Sequence, residues 1–331
     1  MKQPVDSGNL FHDNGKGSMR MTYRRSAKRP IIRRAILGLV ALSLSACSPK
    51  LVAVNILGDV LAGGGGVYVS DEDPDLIREA IPFGLKTYEA LLDVSPEHRG
   101  LLLSAASGFT AYAYLIQDEA DRLDENDLSR ARMLRARAHR LYLRGRDYAL
   151  RGLEVRHPAL TAKLRQDSSS ALVLTTMEDV PYLYWAGASW AGALTAAKDD
   201  LHLLAELPMS GALVGRVLEL DETYDLGAAH EFFIAYEGGR PGGSASRARE
   251  HYRRALEISG GQRASVHLAL AEGVVIREQN LDEFRALIVA ALAVDPDRVP
   301  SLRLVNTIAR RRARWLETRI PELFVEGNTV R

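Results

Sequence analysis

The sequence predicts an all-α protein made of stacked helical hairpins. Three observations carry that prediction. Ala, Leu, Arg and Glu dominate the 331 residues, and all four are strong helix formers. No sustained two-residue alternation bounded by Asn-Gly or Asp-Gly marks a strand. A helix terminator of the form Leu-x-apolar, usually followed by a polar residue or proline, recurs along the chain. Its instances begin at Leu92, Leu153, Leu218, Leu256 and Leu292.

The N-terminal residues stand apart from this pattern. Arg24, Arg25, Lys28, Arg29, Arg33 and Arg34 precede an apolar run from Ala35 to Leu44, and small residues follow. A basic region, a short apolar region and small residues are the parts of a secretory signal. The apolar run is well short of the roughly 20 residues that a membrane-spanning helix needs. Leu44-Ser45-Ala46-Cys47 resembles a bacterial lipobox. The resemblance implies cleavage after Ala46, a diacylglycerol in thioether linkage to Cys47 and an acyl chain on the new N-terminus. No other cofactor is expected. Cys47 is the only cysteine, so the chain has no partner for an internal disulfide. Residues 1–46 are expected to be signal peptide, with Met19 or Met21 giving a more ordinary signal length as the start. Ser48, rather than an aspartate, follows the lipidated cysteine and points to the outer membrane, with the protein facing the periplasm.

Charge follows the same division. Residues 1–46 carry nine of the 43 Lys/Arg and two of the 42 Asp/Glu, leaving the chain from Cys47 about six charges acidic. Nucleic-acid binders carry a basic footprint, so nucleic acid is excluded as a partner. Residues 47–69 read as a lipidated tether and linker: an apolar segment, SPKLVAVNILGDVLA, and then Gly63 to Gly66. No Gly-Lys-Ser/Thr follows the glycines, so they read as a flexible connection rather than a phosphate loop.

Residues 70–331 read as helix after helix. Ser70-Asp71-Glu72-Asp73-Pro74 is a helix start, with an oxygen-bearing cap, early acids and proline at the first turn. Ile77, Ile81, Leu85, Tyr88 and Leu92 then recur at helical spacing, and Ser95-Pro96 stops the helix. The terminators are 61, 65, 38 and 36 residues apart. The last two intervals approach the 34-residue tetratricopeptide period, and the first two are about double it. Ala248, Tyr252, Ala255 and Gly260 fit the second helix of such a repeat, as do Gly84, Tyr88, Leu91 and Pro96. Phe284 departs from it, and the first-helix markers are mostly missing. The expected architecture is therefore a degenerate tetratricopeptide-like array whose hairpins share a core and leave one concave binding face.

The chemistry motifs point away from catalysis. His230-Glu231 lacks a second histidine one turn away, so the zinc-protease pattern fails. No Gly-x-Ser-x-Gly elbow occurs. Asp118, Glu119, Asp121, Asp124, Glu125 and Asp127 lack the glycine and terminal glutamate of a calcium loop. They read as a solvated region between helices. No metal site is expected. The aromatic residues carry more. Tyr112 and Tyr114 sit in one predicted helix, and Tyr184, Trp185 and Trp190 sit in another rich in small residues, YLYWAGASWAGA. The second helix reads as buried all round. These five rings are candidates to line an apolar cavity. Packed core is the competing reading for each.

In order and spacing, AVNILGDVLAGGGGVYVSDEDPDLIREAIPFGLKTYEALL, GLLLSAASGFTAYAYLIQDEAD, ARAHRLYLRGRDYALRGLE, DVPYLYWAGASWAGALTAAKDD, AAHEFFIAYEG, RPGG and SRAREHYRRALEISGG resemble the TatT lipoproteins. These are tetratricopeptide-like proteins associated with TRAP transporters. The resemblance implies an all-helical periplasmic lipoprotein that is not an enzyme. It further implies a TRAP-type periplasmic solute-binding protein as partner, a small hydrophobic or organic-acid ligand, and a homotrimer. A scaffold lipoprotein that binds protein segments during envelope assembly is the rival expectation.

Overall fold

The computed structural model describes residues 49–325, apart from 64, 124–126 and 198–199. Cys47 and the predicted signal peptide lie outside the described residues. Every regular element among the described residues is helical, which makes the fold all-α. Helix α1 is Pro49–Gly63, followed by a single turn at Gly66–Val69. The long helices continue as α2 (Pro74–Val94), α3 (Arg99–Arg122), α4 (Leu128–Glu154), α5 (Val180–Ala196), α6 (Leu201–Leu220) and α7 (Tyr224–Gly239). Next come α8 (Ala245–Ser259), α9 (Ala264–Leu270) with a π-helical turn at Ala271–Val275, α10 (Leu281–Ala293) and α11 (Arg303–Thr318).

The helix ends follow local chemistry. Asp73 caps α2 by accepting from the Asp75 and Leu76 amides at 3.0 and 3.1 Å, with Pro74 first in the helix. Gly260 ends α8 at φ 58°, and the Gly261 amide reaches back to the Leu256 carbonyl at 2.9 Å. That left-handed position suits glycine because a Cβ there would crowd the backbone. The start of α7 is less regular. Asp225, Leu226 and Gly227 all have positive φ, and helical geometry resumes at Ala228. The buried guanidinium of Arg263 holds this turn, at 2.7 Å from the Asp225 carbonyl and 2.6 Å from the Glu231 carboxylate.

Within the span read as a tether, Pro49–Gly63 is helical and packs on α3. The approach is close because Gly58 has no side chain: a Cβ there would lie 2.7 Å from His98 Nε2. The α10 helix has 13 residues and α4 has 27, so no uniform repeat unit emerges among the described residues. The tetratricopeptide-like register remains a sequence expectation.

Each long helix from α2 to α11 packs on its neighbours in sequence, and α3 also meets α5 across the intervening helix. Two apolar cores result. The first runs from Ile77 to Val217 and takes in Ala229 and Ile308. The second runs from Ile234 to Phe324. Helix α5 lies inside the first, with Leu183, Ala186, Trp190 and Ala193 buried. Its glycines set the packing distance, since a Cβ on Gly187 would meet Val214 at 2.5 Å and one on Gly192 would meet Tyr142 at 2.5 Å.

Helix α11 returns to the start of the array. Ile308 belongs to the first core and Ala309 to the second, while Arg303 Nη1 donates to the Ser70 carbonyl at 3.1 Å. This return corrects the reading of the acidic run. Asp118 and Asp121 are in the last turns of α3, and Asp118 is only 4% exposed. Arg311 and Arg312 of α11 cover and pair with them, which pattern along α3 alone does not reveal.

Candidate functional site

Helices from both cores line a half-open cavity of about 1360 Å³. That exceeds the roughly 300–1,000 Å³ of ordinary small-molecule sites, so it has room for an extended ligand. Helix α3 contributes Tyr114, Asp118 and Asp121, and α4 contributes Arg132, Arg135, His139 and Arg140. These α4 positions recur at three- and four-residue spacing, which places them on one face. Leu194 of α5 and Leu204 and Leu207 of α6 supply aliphatic wall. Phe232 and Tyr236 of α7 stack with ring centres 5.6 Å apart, and Leu268 of α9 completes the apolar part.

One end of the wall is an ion network. Arg312 approaches Glu272 at 2.7 Å and Asp121 at 3.4 Å, and Arg135 binds Asp121 at 3.1 Å. Asp118 Oδ2 accepts from Arg122 and Arg311, both at 3.1 Å. Its Oδ1 is buried without a hydrogen-bond partner among the described residues. Tyr114 is 42% exposed, and its hydroxyl is raised above the ordinary tyrosine value, first by partial burial and then by the Asp118 charge. That group is therefore a neutral donor. On α4, Arg132 and Arg140 have no acidic partner among the described residues, while His139 Nδ1 donates to the Ala193 carbonyl at 3.1 Å. This fixes the ring and leaves Nε2 for another partner. The cavity thus joins an apolar wall to two cations that have no acidic partner among the described residues.

Of the five aromatic residues expected to line a site, Tyr114 is in this wall. The other four lie elsewhere. Tyr112 is buried in the first core, and its hydroxyl accepts from Arg137 at 2.8 Å. Trp190 is 1% exposed, with Nε1 donating to Glu206 at 3.0 Å. Tyr184 is half-buried and packs against Trp185 and Tyr224, with ring centres 5.2 and 5.3 Å away. The sequence analysis did not single out Phe232, Tyr236 or the basic face of α4. The signals were present as the four-residue aromatic spacing in AHEFFIAYEGG and the basic spacing in RARAHR.

A second polar cluster joins α7 to α8. His230 Nδ1 lies 2.8 Å from His251 Nδ1, and His230 Nε2 lies 3.1 Å from Glu222. Burial lowers the pKa of both rings. No group of three or more metal-ligating side chains occurs among the described residues.

Residues 70–324 match the model of the family described as TAtT: TRAP transporter T-component. The chain belongs to this TRAP transporter T-component family. The match spans α2 to α11 and so contains the whole cavity wall. The chain is also 28% identical over 268 residues to an uncharacterized protein of Treponema pallidum (strain Nichols), covering 78% of this chain and 83% of the relative. Family membership associates this T-component with TRAP transporters and gives it a transport-associated role at the cell envelope. No helix among its described residues is long and apolar enough to cross a membrane.

Proposed function

We propose that this T-component is a lipid-anchored, periplasm-facing protein, held by Cys47 in the outer membrane. In this reading it partners a TRAP-type periplasmic solute-binding protein and passes a small ligand toward the permease. It takes up a ligand with an apolar body and an acidic head. The observation that carries this reading is the cavity wall: stacked Phe232 and Tyr236 with Leu204, Leu207 and Leu268, together with Arg132 and Arg140, which have no acidic partner among the described residues. An apolar wall draws in a hydrocarbon body by removing it from water. Guanidinium groups recognise a carboxylate through charge-assisted hydrogen bonds. Tyr114 contributes a neutral hydroxyl to the same wall. Tyr112, Tyr184, Trp185 and Trp190 act by holding α3 and α5 in place behind it. A trimer, as the family resemblance implies, fits this role.

The test is a thermal-shift and calorimetric titration with octanoate, palmitate and the neutral octanol. Octanoate or palmitate should bind the parent. Arg132→Ala/Arg140→Ala should lose the acids while retaining octanol, and Tyr236→Ala should weaken all three. Failure of every probe to bind, together with capture of peptide segments, would move the assignment to the scaffold role. Crosslinking in cells should join the parent to a TRAP-type solute-binding protein. Absence of that adduct would sink the partner assignment.

A further inference from the structure

Helix α1 is apolar on both faces, yet among the described residues only one face is covered by protein. Gly58 faces His98 and Leu101, and Ala62 faces Gly100. On the other side Ala53, Ile56, Leu57 and Val60 are exposed, with Ile56 at 61% and Val60 at 67%. At 100° per residue these four fall within a sector of about 100°. Asp59 lies at the edge of the stripe, with its carboxylate 78% exposed and 3.4 Å from His98 Nε2. An amphipathic surface helix ordinarily turns a polar face outward. Here the outward sector at 53, 56, 57 and 60 is apolar, and the turn after it also exposes Val67.

The position of α1 along the chain selects the partner. The helix begins at Pro49, two residues after Cys47. Two residues of chain reach at most about 7 Å. If Cys47 carries a lipid, the first turn of α1 is held at the headgroup layer. Interfacial helices bury their apolar face about 5–10 Å into that layer. The 15 residues of α1 are about 22 Å long, too short to cross a hydrocarbon core of about 30 Å. We propose that the Ala53–Ile56–Leu57–Val60 face of α1 lies in the lipid headgroup region beside the Cys47 anchor. The helix then acts as a second membrane contact that sets how the helical array stands on the bilayer. The inference rests on the lipid-anchor reading.

The single cysteine makes a direct test practical. Ile56→Cys, Val60→Cys and, as a distant exposed control, Val289→Cys are made in the full chain and purified from membranes. Each is treated with an environment-sensitive thiol fluorophore. The parent should take up no label, because its one cysteine sulfur is in a thioether. In phosphatidylethanolamine/phosphatidylglycerol vesicles, the labels at 56 and 60 should shift to the blue. They should lose emission to a nitroxide placed at the headgroup, and the label at 289 should do neither. Unquenched labels at 56 and 60 on protein that floats with vesicles would overturn the helix contact and leave the anchor standing. Labels at 56 that contact each other between copies, instead of lipid, would also overturn it by assigning the face to a second protomer. A parent that takes up label would defeat the anchor reading. Quenching of the 56 and 60 labels by added vesicles would then still support the helix contact, and its absence would reject it.

Discussion

Arg312 of the last long helix and Asp121 of α3 lie 3.4 Å apart across 191 residues of chain. Arg312 also holds Glu272 at 2.7 Å, so one guanidinium joins both cores at the cavity wall. Removing it strips Glu272 of its guanidinium partner and leaves Asp121 with Arg135 alone. Losing one partner from such a network costs about 3–5 kcal/mol. Arg312→Met should therefore lower the melting temperature by about 6–20 °C, using ~2–4 °C per kcal/mol for a domain of this size. Adding Glu272→Gln should recover part of the loss. A single-variant melt within 2–3 °C of the parent would show that the network does not hold the array closed.

Adjacent glycines at the end of α7 give a second prediction. A Cβ on Gly238 would lie 2.6 Å from the Gly273 carbonyl oxygen, whereas one on Gly239 would meet nothing within 4 Å. Gly238→Ala must push α7 away from the π-helical turn, at a cost of about 1–3 kcal/mol. Gly239→Ala should be neutral or slightly stabilising. Urea midpoints for the two variants test this contrast, and equal midpoints would refute the close approach.

Trp190 is almost wholly buried in the first core, while Trp185 is half-buried. Trp190→Ala should cost about 3–5 kcal/mol, a large share of an ordinary stability of about 5–15. Trp185→Ala should cost less and leave a cooperative melt. A Trp190→Ala protein that melts like the parent yet loses ligand response would instead make that ring part of the binding surface.

The histidine pair predicts acid sensitivity. A neutral arrangement satisfies all groups when His251 Nδ1–H donates to His230 Nδ1 and His230 Nε2–H donates to Glu222. Burial holds both rings below the ordinary value of 6.5, and His267 behaves alike. The unfolded chain therefore binds protons first as pH falls. Stability is full above about pH 6.5 and declines below it, through the lowered folded-state values. Carboxylates such as Glu222, held at about 2 chiefly by Arg254, remain charged through that window. Denaturant midpoints from pH 7.5 to 5 should fall, and His230→Gln/His251→Gln should flatten the slope. An unchanged slope in the double variant would remove the pair as its source.

Several features were legible because they depend on neighbours along the chain. The Asp73-Pro74 start, the Ser95-Pro96 stop and the Gly260 end of α8 each follow from groups within a few residues. The burial of α5 follows from its composition, since rings alternate there with residues small enough for Tyr142 and Val214 to approach. The cavity was legible only in part. The sequence indicated that rings on α3 and α5 could line one, and Tyr114 does. Trp190 and Tyr112 carry the same pattern but face the core, because helical period does not say which apolar face meets which neighbour.

The sequence alone determined the all-α class, the order of the helices, the acidic balance after residue 46 and the family pattern over 70–324. These rest on propensity, capping and periodicity, which act over one or two helical turns. Only the tertiary structure decided that Asp118 is buried, that Arg132 and Arg140 face a cavity, and that α1 keeps an apolar face uncovered. Each of those depends on where a distant helix comes to lie. The return of α11 onto α2 and α3 converts a polar run into a buried ion network. No local periodicity encodes that contact, because its partners are separated by most of the chain.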